Sequence, residues 1–162
     1  MTELKPRDAT TNDIDEILRL AYAMWSDFGL NIPHGDWEEA SRVFMTSRLG
    51  SGDYRILVIE DPKQPGHLIA CGVGLLFDLT PAFWLPNGRM GYLQWFYTEP
   101  EWRKKGLSSS ILDEFTDWFS DHDIDRVQLH AAPMAEKLYR QRGFENSKYP
   151  NLWWVKPGTR VE

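Results

Sequence analysis

Cysteine is almost absent from this sequence, since Cys71 is the only one among 162 residues. A single cysteine cannot form an internal disulfide or build a zinc site from several thiolates, and we expect no metal ion. Cys71 lies in a continuous apolar stretch. We therefore expect a buried strand residue and not a nucleophile.

Positive charge is also scarce, because 18 lysines and arginines stand against 24 aspartates and glutamates, for a formal net charge of -6. This balance argues against nucleic acid or an anionic membrane surface as a partner. No uncharged apolar run reaches the roughly 18 residues of a membrane-spanning helix. The first residues lack the basic-then-apolar layout of a secretory signal, so we expect a cytoplasmic protein.

Repeats, low-complexity tracts and Pro/Gly/Ser-rich linkers are absent as well. A chain of this length is the size of one ordinary domain, and we expect a single domain over residues 1–162. Aromatic residues, in contrast, are abundant: they make up 14% of the chain and include eight tryptophans. This is more flat apolar surface than a core of this size needs.

Hydrophobic spacing predicts the element order β-α-α-β-β-β-α-β-α-β. The first helix is predicted to follow a capping box formed by Thr10 and Asp13 and to end near Gly29. Further helices are predicted from near Asp36, from Leu107 and over 135–142. Strands are predicted near residues 4–6 and over 54–60, 67–77, 92–98 and 126–130, with a closing strand or hairpin at 152–155. Residues 79–91 are predicted to form a loop. The pattern indicates a mixed sheet with helices packed on it, of the α/β or α+β class.

One segment has the composition of an anion site, because a strand ends at Thr98 and a helix begins soon after it. Three cations and a glycine connect the two elements, namely Arg103, Lys104, Lys105 and Gly106, and the helix starts at Leu107. The first amides of a helix have no intrahelical acceptor and attract anions. Gly106 permits close approach of the backbone, and Ser108 and Ser109 offer hydroxyl groups. A solvated basic turn before a helix is the alternative interpretation.

A second segment, residues 129–144, reads as a strand, a turn and a short helix that ends at Gly143. Taken together in this order, the two segments resemble the Gcn5-related N-acetyltransferase (GNAT) superfamily. Residues 103–108 match its Arg/Gln-x-x-Gly-x-Gly/Ala motif, except that Ser108 replaces the final small residue. Leu138 and Tyr139, followed by Gly143 and Phe144, match its Leu-Tyr-x-x-x-Gly-Phe motif in full.

The resemblance implies a mixed, mostly antiparallel central sheet flanked by helices, with two strands splayed apart to admit acetyl-CoA as co-substrate. It places the diphosphate of the coenzyme at the start of the Leu107 helix and its pantetheine along the preceding strand. The cofactor-binding residues implied in this way are Phe96, Tyr97, Thr98, Arg103, Lys104, Lys105, Gly106, Leu107, Ser108 and Ser109.

The chemistry implied by the resemblance is transfer of an acetyl group to a primary amine of a small molecule or a peptide. Tyr139 occupies the position of the family's acid, which protonates the departing thiolate. The base stays open, because Tyr92 replaces a glutamate found in some members. Glu99 and Glu101 are expected to pair with neighbouring cations, which leaves His130 or a water relay.

Acceptor recognition is expected from the first two helices and the 79–91 loop, which lie over the acetyl end in this family. Aromatic and acidic side chains there would attract a cationic amine, unless the tryptophans belong to the core. The candidates are Trp25, Phe28, Trp37, Phe83, Trp84 and Trp95, with Asp27, Asp36, Glu38 and Glu39.

Two other functions stay open from the sequence. A non-catalytic acyl-CoA-binding sensor or interaction module fits the missing base and the departure at Ser108. A nucleic-acid binder that uses the basic turn is disfavoured by the net charge. Homodimers are common in the family, so the resemblance also permits a homodimer.

Overall fold

A computed structural model of the chain describes residues 4–159. These residues form two compact units, of which the first ends at His130 and the second begins at Ala131. The elements of the first unit are β1 (Arg7–Asp8), α1 (Ile14–Asp27), α2 (Asp36–Arg48), β2 (Tyr54–Glu60), β3 (Leu68–Asp78), β4 (Arg89–Thr98), α3 (Leu107–Asp121) and β5 (Val127–Leu129). The second unit contains α4 (Glu136–Gln141).

The five strands form one mixed sheet in the order β1-β2-β3-β4-β5. Strands β1 to β4 pair antiparallel, whereas β5 runs parallel to β4. Helix α1 packs with the side chains of Ile56, Val58 and Val73 on one face of this sheet. Helix α3 covers the other face. The predicted class, a mostly antiparallel mixed sheet flanked by helices, is confirmed.

Helix α3 approaches β3 closely because two glycines remove side chains from that face. A Cβ added at Gly74 would lie 2.4 Å from the ring of Phe115. A Cβ at Gly72 would lie 2.8 Å from Ile111 and 2.9 Å from Phe96. The sequence predicts a bulge or a close approach at these glycines, and the structure has both, since the β3–β4 register shifts between Cys71 and Val73.

An ion pair secures the chain where β1 leads into α1. The carboxylate of Asp13 accepts two hydrogen bonds from the guanidinium of Arg7, each 2.9 Å long, and one from the backbone N–H of Thr10 at 2.8 Å. The hydrogen bonds from Arg7 lower the pKa of Asp13 below its ordinary value, against the effect of burial. This carboxylate is therefore charged at neutral pH and stabilises the first turn.

Three details differ from the sequence-based expectations. Strand β4 begins at Arg89, so the 79–91 loop is shorter than predicted. The predicted closing strand at 152–155 is wrong, because within the described residues this segment pairs with no strand and its side chains are exposed. Hydrophobic spacing places Phe44 on the apolar side of α2, but in the structure Phe44 is exposed and Met45 is the buried side chain of this helix. None of the helices in residues 4–159 combines the length and hydropathy that a membrane span requires.

Candidate functional site

The sheet opens beside the second half of β4. Pairing between β4 and β5 covers Gly91 with Val127 through Leu93 with Leu129. Strand β4 then continues to Thr98, still paired on its other side with β3. In residues 4–159 no strand pairs with the outer edge of β4 beyond Leu93. Phe96, Tyr97 and Thr98, which the resemblance assigns to pantetheine, lie in this part of β4.

A β-bulge interrupts β4 at the same place. Cys71 pairs with Tyr97 and Val73 pairs with Gln94, so β4 has one more residue than β3 between these pairs. Trp95 takes up the irregularity with a φ of 54°, which is rare for a residue with a side chain. Its carbonyl accepts a hydrogen bond from the buried thiol of Cys71 at 3.4 Å. Burial raises the pKa of this thiol to about 12, so Cys71 is a core residue, as expected.

The turn before α3 exposes a series of backbone amides. Lys104 has a φ of 61° and Gly106, the N-cap residue of α3, has a φ of 81°. Within the described residues, the N–H groups of residues 104–109 donate to no protein acceptor, and the first amide with one is that of Ser110, which bonds to the carbonyl of Gly106 at 3.0 Å. Such a series at a helix N-terminus is an anion-binding concavity.

The side chains of this turn divide into fixed and exposed ones. Arg103 donates to the carbonyl of Thr98 at 2.9 Å and pairs with Asp27 of α1. The sequence suggests that Arg103 contributes mobile charge, but this charge is already paired. Lys104 and Lys105 are exposed, and the ammonium group of Lys105 lies 4.4 Å from the ring centre of Trp102. These two lysines supply the accessible positive charge of the turn.

Hydroxyl groups link the end of β4 to the start of α3. The Oγ1 atom of Thr98 and the Oγ atom of Ser108 lie 2.9 Å apart. The phenol of Tyr97 donates a hydrogen bond to the carboxylate of Asp27 at 3.1 Å. Burial is the larger cause and this hydrogen bond the smaller cause that together raise the pKa of Tyr97 to about 12. These hydrogen bonds hold the end of β4 against the start of α3. The open edge of β4 and the exposed amides of residues 104–109 therefore lie side by side at one corner of the sheet.

Glu99 belongs to a charged cluster at this corner, though not with the cations expected from the sequence. It is buried and accepts a 2.6 Å hydrogen bond from Arg19 of α1. Its second oxygen lies 3.3 Å from His67 Nε2. Arg19 also binds the carboxylate of Glu16 and the carbonyl of Leu68. Glu99 therefore anchors the corner to α1 and is not available as a base.

Aromatic side chains of α2, β2 and β4 surround a cavity of about 320 Å³. Its walls include Trp37, Phe44, Tyr54 and Trp95, together with the polar residues Ser41 and Gln94.

The other candidates for acceptor recognition do not line this cavity. Phe83 is 97% exposed, and Trp84 lies under the guanidinium of Arg126. Asp27 is paired with Arg103, and Glu38 binds Tyr22 and lies 3.1 Å from His34 Nδ1.

Tyr92 and His130 form a pair near the point where β4 and β5 separate. The phenolic oxygen of Tyr92 lies 2.8 Å from Nδ1 of His130. Burial raises the pKa of Tyr92. Tyr92 and Gln94 are two residues apart in the strand, so their side chains share one sheet face. The sequence names both members of the pair separately, but the bond between them depends on the strand alignment.

The second unit explains the spacing of the tyrosine motif. Gly143 has a φ of 87°, its N–H bonds to the carbonyl of Arg140 at 3.1 Å, and the N–H of Phe144 bonds to the carbonyl of Tyr139 at 3.1 Å. These two bonds form a Schellman motif, which ends a helix at a left-handed glycine. The rings of Tyr139 and Phe144 pack 5.7 Å apart. Burial raises the pKa of Tyr139 to about 12, so its phenol is protonated at neutral pH.

Metal ligands are not assembled in the described part of the chain, since no group of three or more His, Cys, Asp or Glu side chains is placed to hold an ion.

Comparison with known proteins gives related structures for this fold. A family model described as an acetyltransferase (GNAT) domain matches residues 83–152. A predicted acetyltransferase of Clostridium acetobutylicum, solved with acetyl-CoA, superimposes with a TM-score of 0.81 at 22% identity, over 93% of this chain and 96% of that chain. A GCN5-related N-acetyltransferase of Ralstonia eutropha JMP134 gives a TM-score of 0.77 at 21% identity, over 94% and 99%.

A third structure of the same fold is named for its substrate. Glucosamine-6-phosphate N-acetyltransferase of Arabidopsis thaliana has a TM-score of 0.71 at 18% identity, over 95% of this chain and 99% of that chain. At such identities these likenesses establish the fold, which is that of the acetyltransferases. In sequence, residues 83–152 also resemble the acetyltransferase (GNAT) domain.

Proposed function

We propose that the protein is an acetyl-CoA-dependent N-acetyltransferase that acts on a primary amine of a small molecule or a peptide. The observation that carries this proposal is the series of backbone amides at residues 104–109, which have no protein acceptor within the described residues. A diphosphate supplies several acceptor oxygens and negative charge, which such amides and a helix N-terminus bind well. Lys104 and Lys105 add positive charge beside them.

The residues present fit the coenzyme. A Cβ built on Gly106 would meet no protein atom within 4 Å, so the space over this glycine is available to a ligand. The outer edge of β4 near Phe96, Tyr97 and Thr98 offers strand backbone that a pantetheine amide can pair with. Arg103 supports the site by holding the end of β4 through the carbonyl of Thr98 and contributes less direct binding.

Acetyl-CoA supplies an acetyl group activated as a thioester. In the transfer, a bond forms between the amine nitrogen and the acetyl carbon, the carbon–sulfur bond breaks, and sulfur leaves with the electron pair. We assign the donor of the proton to this sulfur to Tyr139, on the strength of the motif. The phenol of Tyr139 carries a proton at neutral pH, which a donor needs, and the departing sulfur would take this proton as the carbon–sulfur bond breaks.

The amine must lose a proton before or during its attack. We propose that His130 accepts this proton through the hydroxyl of Tyr92. The 2.8 Å separation between Tyr92 Oη and His130 Nδ1 allows transfer along this pair, and the exposed His130 can release the proton to water. Tyr92 lies on the same sheet face as Gln94, a wall of the aromatic cavity.

The experiment that tests the proposed function measures release of coenzyme A thiol from acetyl-CoA with a panel of amines, beside calorimetric binding of coenzyme A. Binding together with amine-dependent thiol release supports the enzyme. Binding without release for any amine would leave the acyl-CoA-binding sensor as the function. Absence of binding by the folded protein would overturn both. A single domain over residues 1–162, a homodimer and a cytoplasmic location stay predictions.

A further inference from the structure

The cavity of about 320 Å³ lies within the first unit, between α2, β2 and β4. Its volume is at the lower end of the range for small-molecule sites. A cavity of roughly 150 Å³ accommodates benzene in another protein, so this one has room for a two-ring system.

The walls of the cavity are flat and held in place. Trp25 packs edge to face against Trp37 and against Trp95, with ring centres 5.2 Å and 5.4 Å apart. Phe44 and Tyr54, which also line the cavity, make a similar contact at 5.3 Å. The indole N–H of Trp37 donates to the carbonyl of Pro33 at 2.8 Å, so its polar atom is already satisfied. The cavity therefore presents aromatic faces that need not rearrange for a ligand.

The bulge in β4 connects this cavity to the cofactor edge. Trp95 is a wall of the cavity and has the left-handed backbone of the bulge, one residue before Phe96. Bulges redirect side chains, and strained backbone persists where the surroundings or the function require it. A molecule in the cavity thus lies beside the part of β4 that the proposed function assigns to pantetheine.

The lack of charged side chains in the cavity walls favours amines that carry a single ammonium group. Among residues 4–159, none of those that line the cavity is acidic or basic. The acidic residues Asp27 and Glu38, expected from the sequence to attract a cation, are engaged with Arg103 and with Tyr22. An acceptor with several ammonium groups would have to bury charge without a carboxylate partner, which is costly. A single ammonium group can instead be held against the aromatic faces of the walls.

We infer that the acceptor is a monoamine carried on an aromatic ring system, with its rings between Trp37, Phe44, Tyr54 and Trp95. This inference rests on the proposed function and names its substrate class. Ser41 and Gln94 provide polar contacts for one ring substituent or for the amine.

The test compares tryptamine and phenethylamine with spermidine and glucosamine in the thiol-release assay. We expect kcat/KM for the aromatic amines to exceed that for the other two by about 100-fold or more. Trp37→Ala, which removes a wall, should raise KM for tryptamine by about tenfold or more and leave KM for acetyl-CoA unchanged. Ser41→Phe fills the cavity from a half-buried position and should have the same effect without removing a core contact. Trp84→Ala, outside the cavity, is the matched control.

Failure of this inference and failure of the proposed function give different results. Acetylation of spermidine or glucosamine with no preference for aromatic amines would overturn the aromatic acceptor and leave the acetyltransferase in place. If no amine releases thiol, calorimetry of tryptamine still tests the cavity. Binding that Ser41→Phe abolishes supports an aromatic ligand there, and no binding to the wild type overturns it.

Discussion

Replacement of Gly106 by aspartate tests the anion site with little damage to the fold. Gly106 has a φ of 81°, and a Cβ there meets no protein atom within 4 Å. The cost in the free energy of unfolding is therefore backbone strain alone, about 1–2 kcal/mol. A carboxylate at this position repels a bound diphosphate by about 1 kcal/mol per charge pair at 4 Å in water, and more where water is excluded. With two charges nearby, the Kd of coenzyme A should rise about 30-fold.

The matched control is Gly50→Asp, because Gly50 also has a positive φ, of 85°, and open space around its Cβ position. Both variants should lose similar stability in thermal unfolding, about 2–4 °C for each kcal/mol. Isothermal titration calorimetry should show weakened coenzyme A binding in Gly106→Asp alone. Unchanged affinity in Gly106→Asp, or equal weakening in both variants, would refute the anion site at this turn.

Three other predictions concern single side chains. Tyr139→Phe should lower kcat about 100-fold with little change in the Kd of coenzyme A. The control Tyr149→Phe, at an exposed tyrosine, should match the wild type. Equal loss of coenzyme A binding and of turnover in Tyr139→Phe would indicate a structural role for this tyrosine. His130→Gln should lower kcat/KM for the amine about tenfold or more, and His122→Gln, at the end of α3, should not; equal effects in a steady-state assay would exclude the proposed proton route. Asp13→Asn should lower the free energy of unfolding by about 2 kcal/mol at pH 7. Because the pKa of this carboxylate is lowered in the folded state, its contribution is present above the unfolded value near 3.9 and is lost as pH falls through the folded value. Urea titrations should therefore show the gap to the wild type narrowing below about pH 4, and a constant gap would contradict the ion-pair origin.

Local patterns in the sequence predict most of the fold. The apolar run at β2 and the start of α3 at Leu107 follow from periodicity and from a glycine at the N-cap. Gly143 predicts the end of α4 because a left-handed residue is required there. The prediction of a closing strand at 152–155 is wrong, because an apolar run forms a strand only when a neighbouring strand pairs with it and other side chains cover it. Its side chains are exposed in the structure.

The sequence predicts where the site lies, but it does not predict the side chains with which the residues of the site pair. The sequence places exposed amides before Leu107, which is a local property of a strand followed by a helix. It cannot show that Arg103 pairs with Asp27, 76 positions away in the chain, or that Glu99 pairs with Arg19, 80 positions away. These contacts form only when α1 packs against the sheet.

The cavity illustrates the same limit. Gly72 and Gly74 predict a bulge or a close approach in β3, but they do not show that Trp95 of β4 takes up the irregularity. The face to which the bulge turns Trp95, and the neutral character of the surrounding walls, depend on how α2 lies beside β2 and β4. The sequence alone therefore does not show that the described walls of this cavity are uncharged.

A crystal structure of the protein with coenzyme A tests the central claim most directly. The diphosphate oxygens should lie within about 2.7–3.2 Å of backbone nitrogens between residues 104 and 109, with Gly106 beneath them. A diphosphate bound elsewhere on the protein, with those amides facing solvent, would contradict the account.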